Sequence, residues 1–494
     1  MENAKKFYIT TAIDYVNARP HIGHALEKIQ ADVLARYHRL KGDDVFFLTG
    51  TDEHGAKIAR AAEEAGENPE EFTDTISQKF RGLKEILDLS WDDFIRTSDH
   101  ARHWPGAQKV WAALLEKGDL YKKNYRGLYC VGHEAFVTEK DLVGGVCRDH
   151  QKAPEVIEEE NYFFRLSKYG PDIEKAITSD ELKIVPATRK KEILSFIRAG
   201  LEDVSFSRPR KDLPWGIPVP NDSEHTMYVW CDALTSYLTA LGYGQDDSKL
   251  KTQNSKLDYW PADIHVIGKD ILRFHAAIWP GMLLSAGLPL PRSIFVHGFI
   301  TVEGQKMSKT IGNVVDPVEL VKKYGTDPVR YFLLREIPTT EDGDFSVKKF
   351  EDRYHGDLAN GIGNLVSRVA TLGERISPIS FDFKKDIASE IDGAAELVFK
   401  EYEAHITEFR LNDALADIWQ LVSSGDKYIN EKKPWELKGE ELQLVLVNVG
   451  YLIGVIANLL EPFLPETAEK IRAQVRFDDS TIVFKKGDPL FPRL

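Results

Sequence analysis

Pro20-His21-Ile22-Gly23-His24 separates a segment typical of a β-strand from one with helical periodicity. Upstream, Phe7-Tyr8-Ile9-Thr10-Thr11-Ala12 is rich in the aromatic and β-branched residues that favour strands. Downstream, apolar residues recur at helical spacing, as Leu26, Ile29, Val33, Tyr37 and Leu40. A strand, a loop and a helix in this order are typical of the first unit of a nucleotide-binding α/β domain, where the helix N-terminus attracts phosphate.

The two histidines of this motif lie three residues apart, so both can point at the start of the helix. A histidine can donate a hydrogen bond to a phosphate oxygen without carrying a permanent charge. Gly23 removes a side chain where a ligand approaches the backbone. The alternative is an ordinary loop with two solvated histidines. The strand before it and the helix after it favour nucleotide binding.

The overall composition is that of an ordinary globular chain, with 494 residues, 43% hydrophobic and 29% charged. The apolar runs look short and broken by charges, and the first six residues resemble neither a signal peptide nor a transit segment. Three cysteines fit a reducing cytoplasm better than a disulfide framework. A net charge of −14 argues against non-specific coating of nucleic acid. We therefore predict a cytoplasmic protein with no membrane partner.

A second strand, Val45-Phe46-Phe47-Leu48, runs into Thr49-Gly50-Thr51-Asp52-Glu53-His54-Gly55. The carboxyl ends of parallel strands meet at one edge of a sheet, where ligands bind, so Asp52 is expected near the histidine motif. A carboxylate at this edge suits a substrate ammonium group. The alternative is that Asp52 caps a helix that begins near Ala56.

Between about residues 119 and 215 short strands and turns replace the alternation of strand and helix, which indicates an inserted domain. Within it, Cys130-Val-Gly-His133 and Cys147-Arg-Asp-His150 form two C-x-x-H pairs with thirteen residues between them. Each pair fits one half of a tetrahedral Zn²⁺ site. The alternative is a loop without metal that keeps a buried cysteine and a polar histidine.

The strand and helix alternation returns after Trp215. Trp230, Ala233 and Tyr237 share one face of a predicted helix, either lining an apolar pocket or forming plain core. The strand Ile264–Ile267 leads to Gly268-Lys269-Asp270, where an acidic residue could bond a ribose hydroxyl. A helix from Ile271 carries His275, and a last strand at residues 294–296 precedes His297.

The lysine loop, residues 304–313, has glycines flanking two lysines three residues apart, Lys306 and Lys309. A mobile loop of this kind can close over a polyphosphate and neutralise the charge that develops as pyrophosphate leaves. The alternative is a solvated hairpin tip.

The histidine motif and Lys306-Met307-Ser308-Lys309-Thr310 together resemble the paired signatures of class I aminoacyl-tRNA synthetases, with Thr310 where Ser is usual. Further stretches are similar to the methionyl-tRNA synthetase family: Ala12-Ile13-Asp14-Tyr15, Thr49–Gly55, Tyr228–Ala233 and Gly268–Ile271 with Phe274-His275. Leu234, Asp14 and His133 depart from the commoner residues of the family. The resemblance extends from Phe7 to about Pro465.

This resemblance implies an α/β fold, with a Rossmann-type parallel-sheet catalytic domain, an inserted connective domain with a zinc knuckle, and a C-terminal α-helical bundle. The predicted segments are 1–118 and 216–300 for the catalytic halves, 119–215 for the insertion, 301–346 for the lysine loop and stem-contact region, and 347–494 for the bundle. It also implies a methionine–tRNA ligase that uses L-methionine, ATP with Mg²⁺, and tRNA(Met), including the initiator tRNA.

The same resemblance implies a set of site residues. The residues that match the methionine site are Ile13 through its backbone, Tyr15, Asp52, Trp230, Ala233, Tyr237, Ile271 and His275. The residues that match the ATP site are His21, Gly23, His24, Gly268, Asp270 and His297, with Lys306 and Lys309 on the phosphates. His21, His24, Lys306 and Lys309 would be catalytic. Cys130, His133, Cys147 and His150 would bind Zn²⁺.

Four segments of the bundle have apolar faces of helical period, near residues 347–374, 386–405, 411–430 and 440–460. Asn364 and Arg368 lie four apart on one helix face, and they match, with Trp435, the family positions that meet the CAU anticodon. Splayed bases are read by aromatic stacking and side-chain hydrogen bonds. The alternative for Trp435 is a buried bundle residue. The family's dimerising extension is not recognised, which predicts a monomer.

Three other functions fit parts of the pattern. A class I synthetase for Leu, Ile or Val usually carries a larger editing insertion. A non-catalytic RNA-binding protein built on a decayed synthetase would not need His21, His24, Lys306 and Lys309. A nucleotidyltransferase would share the histidine motif, and it would lack the lysine loop and the bundle.

Overall fold

The computed structural model describes residues 4–131, 135–137, 139–148, 151–245, 256–307, 312–478 and 480–494. Its contacts divide the chain into two compact units. The first unit comprises Met1–Pro20, His38–Lys84 and Ser90–Val296, and the second comprises His21–Tyr37, Glu85–Leu89 and His297–Leu494. This division differs from the five predicted segments. Most of the helix after the histidine motif, His21–Tyr37, belongs to the unit that contains the C-terminal part of the chain.

A parallel sheet forms the centre of the first unit, as the sequence predicts. Its strand order is Lys183–Val185, Ser293–His297, Ile264–Gly268, Lys6–Thr11, Asp44–Asp52 and Asp14–Tyr15, and Asp93–Arg96 also pairs with Asp44–Asp52. The central strands are buried almost continuously, which is typical of a parallel sheet covered on both faces. The second strand is longer than predicted and ends at Asp52.

The α-helices of the first unit, outside the insertion, are Ala56–Ala65, Pro69–Arg81, Trp104–Glu116, Val229–Thr239 and Trp279–Ala286. Leu83–Ile86 is a single short turn that spans the boundary between the units. The helix predicted from Ile271 is irregular: a 3₁₀ turn, Lys269–Ile271, is followed by a π-helix, Phe274–Ile278, before the α-helix resumes at Trp279. We call Val229–Thr239 the tryptophan helix.

The insertion is built from antiparallel strands. One sheet has the order Val204–Ser205, Glu155–Phe164, Leu120–Cys130 and Ala135–Val137, and a second has the order Ser207–Pro209, Asp222–Met227 and Pro218–Val219. Leu142–Val143 and Val146–Cys147 form a short hairpin, and the helices are Gly170–Thr178 and Ala187–Arg198.

The predicted insertion, 119–215, also contains a strand of the central sheet. Lys183–Val185 pairs in parallel with Ser293–Phe295. Only three residues long, this strand lies between two helices, so its sequence shows no clear strand periodicity. The predicted segment 119–215 therefore contains a strand of the central sheet as well as the antiparallel strands.

The second unit is mainly helical. Its α-helices are Ile22–Leu40 up to Tyr37, then Pro317–Tyr324, Thr326–Arg335, Val347–Arg353, Asn364–Gly373, Phe383–Asp386, Ser389–Thr407, Leu411–Lys432, Gly439–Leu460 and Pro465–Gln474, with a π-helical segment at Tyr354–Gly363. Its strands form two small sheets: Gln305–Lys306, Ile300–Val302 and Gly343–Phe345, then Ile379–Ser380, Thr481–Phe484 and Val475–Asp478. The predicted C-terminal helical bundle is confirmed.

Among the described residues one helix, Gly439–Leu460, is long and apolar enough to cross a membrane by length and composition. Its apolar residues are largely buried within the protein, from Val445 to Leu460. It contacts two other bundle helices, Leu411–Lys432 and Pro465–Gln474. These contacts are those of a core helix of the bundle.

Arg330 is an unusual member of the second unit's core, because its guanidinium is fully buried. It donates to Asp32 at 2.8 Å and to four main-chain carbonyls. The carbonyls belong to Leu87, Asp88, Pro462 and Phe463, at 2.8–3.3 Å. Arginine has five N–H donors, so every donor has an acceptor.

Candidate active site

The predicted ammonium-binding residue Asp52 is buried at the end of its strand, in the first unit. The short strand Asp14–Tyr15 pairs alongside, with Tyr15 opposite Asp52. The helix Ala56–Ala65 begins after Gly55 without a side-chain cap. The N-cap residue is Gly55, so the alternative that Asp52 is the cap of this helix is wrong. The carboxylate of Asp52 accepts the N–H of His54 at 3.4 Å, and its role toward a substrate ammonium group stays a prediction.

The tryptophan helix carries three of the predicted methionine residues on one face. The Tyr237 hydroxyl lies 2.8 Å from Nε2 of His275, and both side chains are buried. Nδ1 of His275 lies 3.1 Å from the carbonyl of Ile271. A carbonyl only accepts, so Nδ1 carries the proton and Nε2 accepts the Tyr237 hydroxyl proton. Three residues predicted from two separate stretches, Tyr237, Ile271 and His275, thus form one continuous group.

A stacked aromatic pair lies next to this group. The rings of Trp230 and Phe274 are 3.5 Å apart and inclined by 7°. Phe274 is the first residue of the π-helix, a rare geometry found mostly at functional sites. The extra residue in the π-turn displaces Phe274 and His275 from α-helical positions, which is why the sequence period did not single out Phe274.

The remaining predicted methionine residues are at the edges of two apolar clusters of the first unit. Ile13 and Ile271 are half-buried against the cluster that contains Tyr237, and Tyr15 and Trp230 pack on a cluster with Tyr129. Half-buried apolar side chains can add contacts when a small ligand binds. The eight predicted residues are mostly aromatic or aliphatic and include one carboxylate, a composition that suits an amino acid with an apolar side chain.

The histidine motif lies at the start of the helix Ile22–Leu40, in the second unit. The main-chain N–H of Gly23 donates to Nδ1 of His21 at 3.1 Å, and the N–H of His21 donates to Nδ1 of His24 at 3.0 Å. Because both Nδ1 atoms accept, the ring proton of each neutral histidine is on Nε2. Each ring is thus held as a hydrogen-bond donor.

Both histidines are neutral near pH 7. Burial lowers the pKa of His21 to about 4. Burial, reinforced by His21, Lys28 and His297, holds the pKa of His24 well below its usual value. The rings lie 3.8 Å apart, so a second positive charge would be repelled by the first. This confirms the neutral state assumed for the predicted phosphate contacts.

Gly23 is required by the histidine geometry. A Cβ there would lie 2.9 Å from Cε1 of His21, closer than real contacts allow. The same position lies 3.8 Å from Cε of Met307, so the lysine loop reaches the histidine motif within the second unit. Lys306 is exposed on the strand Gln305–Lys306. Lys309 lies outside the described residues.

His297 is in the second unit and contacts a buried acid that the sequence did not single out. Its Nε2 lies 3.0 Å from Glu27 and its Nδ1 lies 2.8 Å from the Gly298 carbonyl. Lys28, with no exposed side chain, lies 3.6 Å from Glu27. Three charged or titratable groups are therefore close together behind the histidine motif.

The predicted anticodon residues lie on the bundle of the second unit. The guanidinium of Arg368 is 5.4 Å from the ring centre of Trp435 and donates to Asn430 at 3.2 Å. Trp435 is 49% exposed, so the alternative of a buried bundle residue is wrong. Asn364 is exposed at the start of the helix that carries Arg368. An exposed ring beside a cation provides a stacking surface for a base.

The chain matches two family models. Residues 7–151 and 137–370 match the model described as tRNA synthetases class I (M), and residues 387–489 match the anticodon binding domain of methionyl tRNA ligase. The chain belongs to the methionyl-tRNA synthetase family. The resemblance inferred from the sequence motifs is thereby confirmed, and methionyl-tRNA synthetases are methionine–tRNA ligases of class I.

Individual methionyl-tRNA synthetases agree with the chain nearly throughout. The methionine–tRNA ligase of Caldanaerobacter subterraneus subsp. tengcongensis is 44% identical over 99% of this chain and 79% of its own length. That of Brucella suis biovar 1 is 43% identical over 94% and 91%. A Mycobacterium tuberculosis methionyl-tRNA synthetase in complex with methionyl-adenylate has a TM-score of 0.92 at 37% identity, covering 99% of this chain and all of that one.

Some methionyl-tRNA synthetase residues stay predictions. Gly268 ends its strand and is buried, and Asp270 is exposed in the following 3₁₀ turn; both are in the first unit. Of the proposed zinc ligands, His133 and His150 lie outside the described residues. Cys130 and Cys147 are buried in one small cluster with Val137.

Three buried polar groups of this methionyl-tRNA synthetase were missed by sequence reasoning: Glu27, Arg330 and Asp232. Each lies among apolar residues on a helix, where a charged residue is usually assigned to the solvent face. For Arg330 a signal existed, because it precedes the unbroken run Tyr331-Phe332-Leu333-Leu334. For Asp232 the signal was its place between Trp230 and Ala233, two residues already assigned to the site.

Proposed function

We propose that the first unit binds L-methionine with Asp52 on the α-ammonium group and with Tyr15, Trp230, Tyr237 and His275 around the thioether. The observation that carries this assignment is that residues from four separate stretches meet in two pairs of the first unit, Asp52 with Tyr15 and Tyr237 with His275, while Tyr15 and Trp230 pack on one apolar cluster. Sulfur packs favourably against aromatic rings. The chain's family supports the reaction: methionine is activated with ATP to methionyl-adenylate and is then esterified to the 3′ end of tRNA(Met).

The hydrogen bonds from Tyr237 to His275 and from His275 to Ile271 support a role for Tyr237 in selecting the thioether. Its proton is given to Nε2 of His275, and Nδ1 of His275 is held by Ile271. The hydroxyl orientation is therefore fixed before a ligand arrives. One methylene in an apolar pocket separates substrates by only about 1–3 kcal/mol, so shape and fixed polar groups must add to it.

The histidine motif and the lysine loop support the phosphate chemistry. Activation is an in-line attack of the methionine carboxylate on the α-phosphorus, with pyrophosphate leaving. No protein nucleophile is needed, so positioning and charge stabilisation supply the catalysis. We assign hydrogen bonds to phosphate oxygens to the Nε2–H groups of His21 and His24, and charge neutralisation to Lys306 and Lys309. Mg²⁺ accompanies ATP as part of the substrate. By class resemblance the aminoacyl group enters at the 2′-hydroxyl.

We assign anticodon recognition to Arg368, Trp435 and Asn364. The exposed Trp435 ring would stack on a splayed base, and Arg368 is already oriented by Asn430. This is sequence-specific reading of single-stranded RNA, which needs no strongly basic protein. It is consistent with the net charge of −14.

We also propose a structural Zn²⁺ in the insertion. The donor set supports it, because two cysteine thiols, Cys130 and Cys147, are buried in one cluster and thiolates are preferred zinc ligands. The carbonyl of Cys147 accepts the N–H of Gln151 at 2.8 Å. His133 and His150 would complete the set. Elemental analysis should find about one Zn²⁺ per chain, the stoichiometry of one four-ligand site. Fully active protein without zinc would contradict it.

ATP–pyrophosphate exchange across the proteinogenic amino acids tests the central proposal. Exchange is expected with methionine and not with Leu, Ile or Val. Exchange driven by one of those three would identify another class I synthetase, and no exchange at all would favour a non-catalytic RNA-binding protein. Sedimentation of the same preparation tests the predicted monomer.

Two variants test the division of roles. Trp230→Ala should raise the methionine KM strongly and leave the ATP KM nearly unchanged. Lys309→Ala should slow adenylate formation by roughly 10²–10³-fold, the scale for losing one charge-stabilising group, with little change in methionine affinity. Equal losses for both substrates in Trp230→Ala would instead indicate a core residue, and an unchanged single-turnover rate in Lys309→Ala would exclude its role.

A further inference from the structure

Asp232 is a fully buried carboxylate on the tryptophan helix, between Trp230 and Ala233. One of its oxygens lies 2.6 Å from Nδ1 of His54, and the other lies 2.6 Å from Nε2 of His103. Both histidine side chains are at most 1% exposed. The three residues lie in the first unit and bring together segments 178 and 129 residues apart in the sequence.

The two histidines connect Asp232 to two other elements of the first unit. His54 follows Asp52 by two residues, just before the helix Ala56–Ala65 begins. His103 precedes the helix Trp104–Glu116, and its Nδ1 lies 2.8 Å from Thr239, the last residue of the tryptophan helix. Asp232 thus joins the segment that carries Asp52, the proposed partner of the substrate ammonium group, to the helix that carries Trp230 and Tyr237.

The hydrogen-bond inventory shows that an ionised carboxylate lets both histidines donate. It accepts at both oxygens, so both facing ring nitrogens can carry a proton. An asparagine would present one acceptor and one donor, and the histidine that faces its NH₂ group would have to accept through its other tautomer. Nε2 of His54 is buried with no hydrogen-bond partner among the described residues. Nδ1 is therefore the ring atom through which His54 is held.

We propose that Asp232 is a positioning residue for methionine activation: through His54 it keeps Asp52 at the distance from the tryptophan helix that one methionine spans. His103 anchors the second oxygen of Asp232 and keeps the carboxylate from rotating. Asp232 does not contact the substrate in this proposal. The inference rests on the proposed methionine site, and it adds the group that fixes the spacing between the ammonium and thioether contacts.

The test compares two replacements of His54 of similar size. Asn places its Nδ2 donor where Nδ1 of histidine lies, whereas Leu has no donor. Misplacing a bound substrate by about 1 Å costs up to roughly 10²-fold, so His54→Leu should raise the methionine KM by about 10–100-fold. His54→Asn keeps the hydrogen bond and should stay within about threefold of the unmodified protein. The KM for ATP should be the same in both.

Two further variants keep the proposal falsifiable if one protein folds poorly. Asp232→Leu, which has no acceptor for either histidine, should behave as His54→Leu does, and His103→Gln, which keeps a donor at the Nε2 position, should behave as His54→Asn does. Asp327→Asn, at a buried carboxylate of the second unit, is the matched control and should leave the methionine KM unchanged. Thermal unfolding of every variant separates loss of folding from loss of positioning.

The outcomes distinguish a failure of the proposed function from a failure of the positioning role of Asp232. If the unmodified protein shows no methionine-dependent exchange, the proposed function fails. If it exchanges with methionine and His54→Leu leaves the methionine KM unchanged, the positioning role of Asp232 is wrong. Equal KM increases for His54→Asn and His54→Leu, or equal increases for methionine and ATP, would also overturn it, because a general packing defect would then explain the loss.

Discussion

Asp232 in the first unit and Asp32 in the second are both fully buried carboxylates, and they have different partners. Asp232 is held by His54 and His103, each at 2.6 Å. Asp32 is held by Arg330 and Arg36, each at 2.8 Å. Each histidine offers its carboxylate oxygen one ring N–H, whereas an arginine offers five N–H donors and a permanent charge.

This difference separates a cluster suited to positioning from one suited to stability. Arg330 also satisfies four main-chain carbonyls, so it joins three chain segments of the second unit in a way that no neutral residue could. The His–Asp–His cluster joins segments through two short hydrogen bonds, whose loss leaves the main chain intact. We therefore expect variants at Arg330 to unfold the protein and variants at Asp232 to displace substrate.

The largest expected effect is that of Arg330→Met. It removes from Asp32 its fully buried cation and leaves the partly exposed Arg36. It also removes the guanidinium donor from the carbonyls of Leu87, Pro462 and Phe463, whereas the Asp88 carbonyl keeps Arg36. Removing one partner of a buried ion pair costs about 3–5 kcal/mol in the free energy of unfolding. Denaturant unfolding measures it, and Lys348→Met, at a pair whose side chains are 84% and 63% exposed, is the control. A loss equal to that of the control would show that Arg330 is not a structural anchor.

A smaller effect is expected for Asp232→Asn, and it should depend on pH. Burial raises the pKa of Asp232, but His54 and His103 outweigh it and hold the pKa below its usual value of 3.8. A lowered folded-state pKa contributes stability that is present above pH 3.8 and is lost as the pH falls through the folded pKa. At pH 7 the variant should be less stable by about 2 kcal/mol, because a buried donor loses its acceptor.

The pH series itself distinguishes the two clusters. The difference in free energy of unfolding between the unmodified protein and Asp232→Asn should shrink as the pH falls below 3.8. Unfolding measured in denaturant at several pH values provides the comparison. A difference that stays constant over this range would mean that Asp232 does not act as a carboxylate.

The smallest effect is predicted for Asp327→Asn, a third buried carboxylate with no ion pair among the described residues. It accepts the N–H of Thr467 at 2.6 Å, and burial raises its pKa to about 6. The pKa of Asp327 is higher in the folded state than in the unfolded state. The free energy of unfolding therefore falls as the pH rises from about 4 through 6. At pH 8 the free energy of unfolding of the variant should be about 1 kcal/mol higher than that of the unmodified protein. The gain is small because a helix N-terminus favours a negative charge, which offsets part of the cost of burying it.

The control for this prediction is the same comparison at pH 4. There the carboxyl is protonated in the folded state, so Asp327→Asn should be as stable as the unmodified protein. Thermal unfolding at the two pH values suffices. A variant that is less stable at pH 8 would show that the charge on Asp327 is needed by the helix Pro465–Gln474.

Residues whose roles depend on short contiguous motifs could be predicted from the sequence. Tyr15, Asp52, Trp230, Tyr237 and His275 each lie in a motif that also determines its element. Strand pairing places Tyr15 opposite Asp52, and a hydrogen bond joins Tyr237 to His275. The histidine motif was placed correctly at a helix start for the same reason. Periodicity and local chemistry carry this information.

The partners of the buried charges could not be predicted, because they are distant in the sequence. Asp32 pairs with a residue 298 positions away, and Asp232 pairs with residues 178 and 129 positions away. On a helix, a charged residue between apolar ones is compatible with a solvent face as well as with a buried partner. The strand Lys183–Val185 was missed for a related reason, since three residues show too little periodicity.

The hydrogen bonds that fix the protons of His21 and His24 make this end of the helix directional. Each main-chain N–H donates to an Nδ1 atom, so the opposite side of each ring can only give a hydrogen bond. A ligand group that itself must donate, such as a protonated amine, is rejected there, while ionised oxygens of any kind are accepted. With the pKa of His21 near 4, this one-way selectivity does not change between pH 5 and 8, so acidification within that range leaves the discrimination intact.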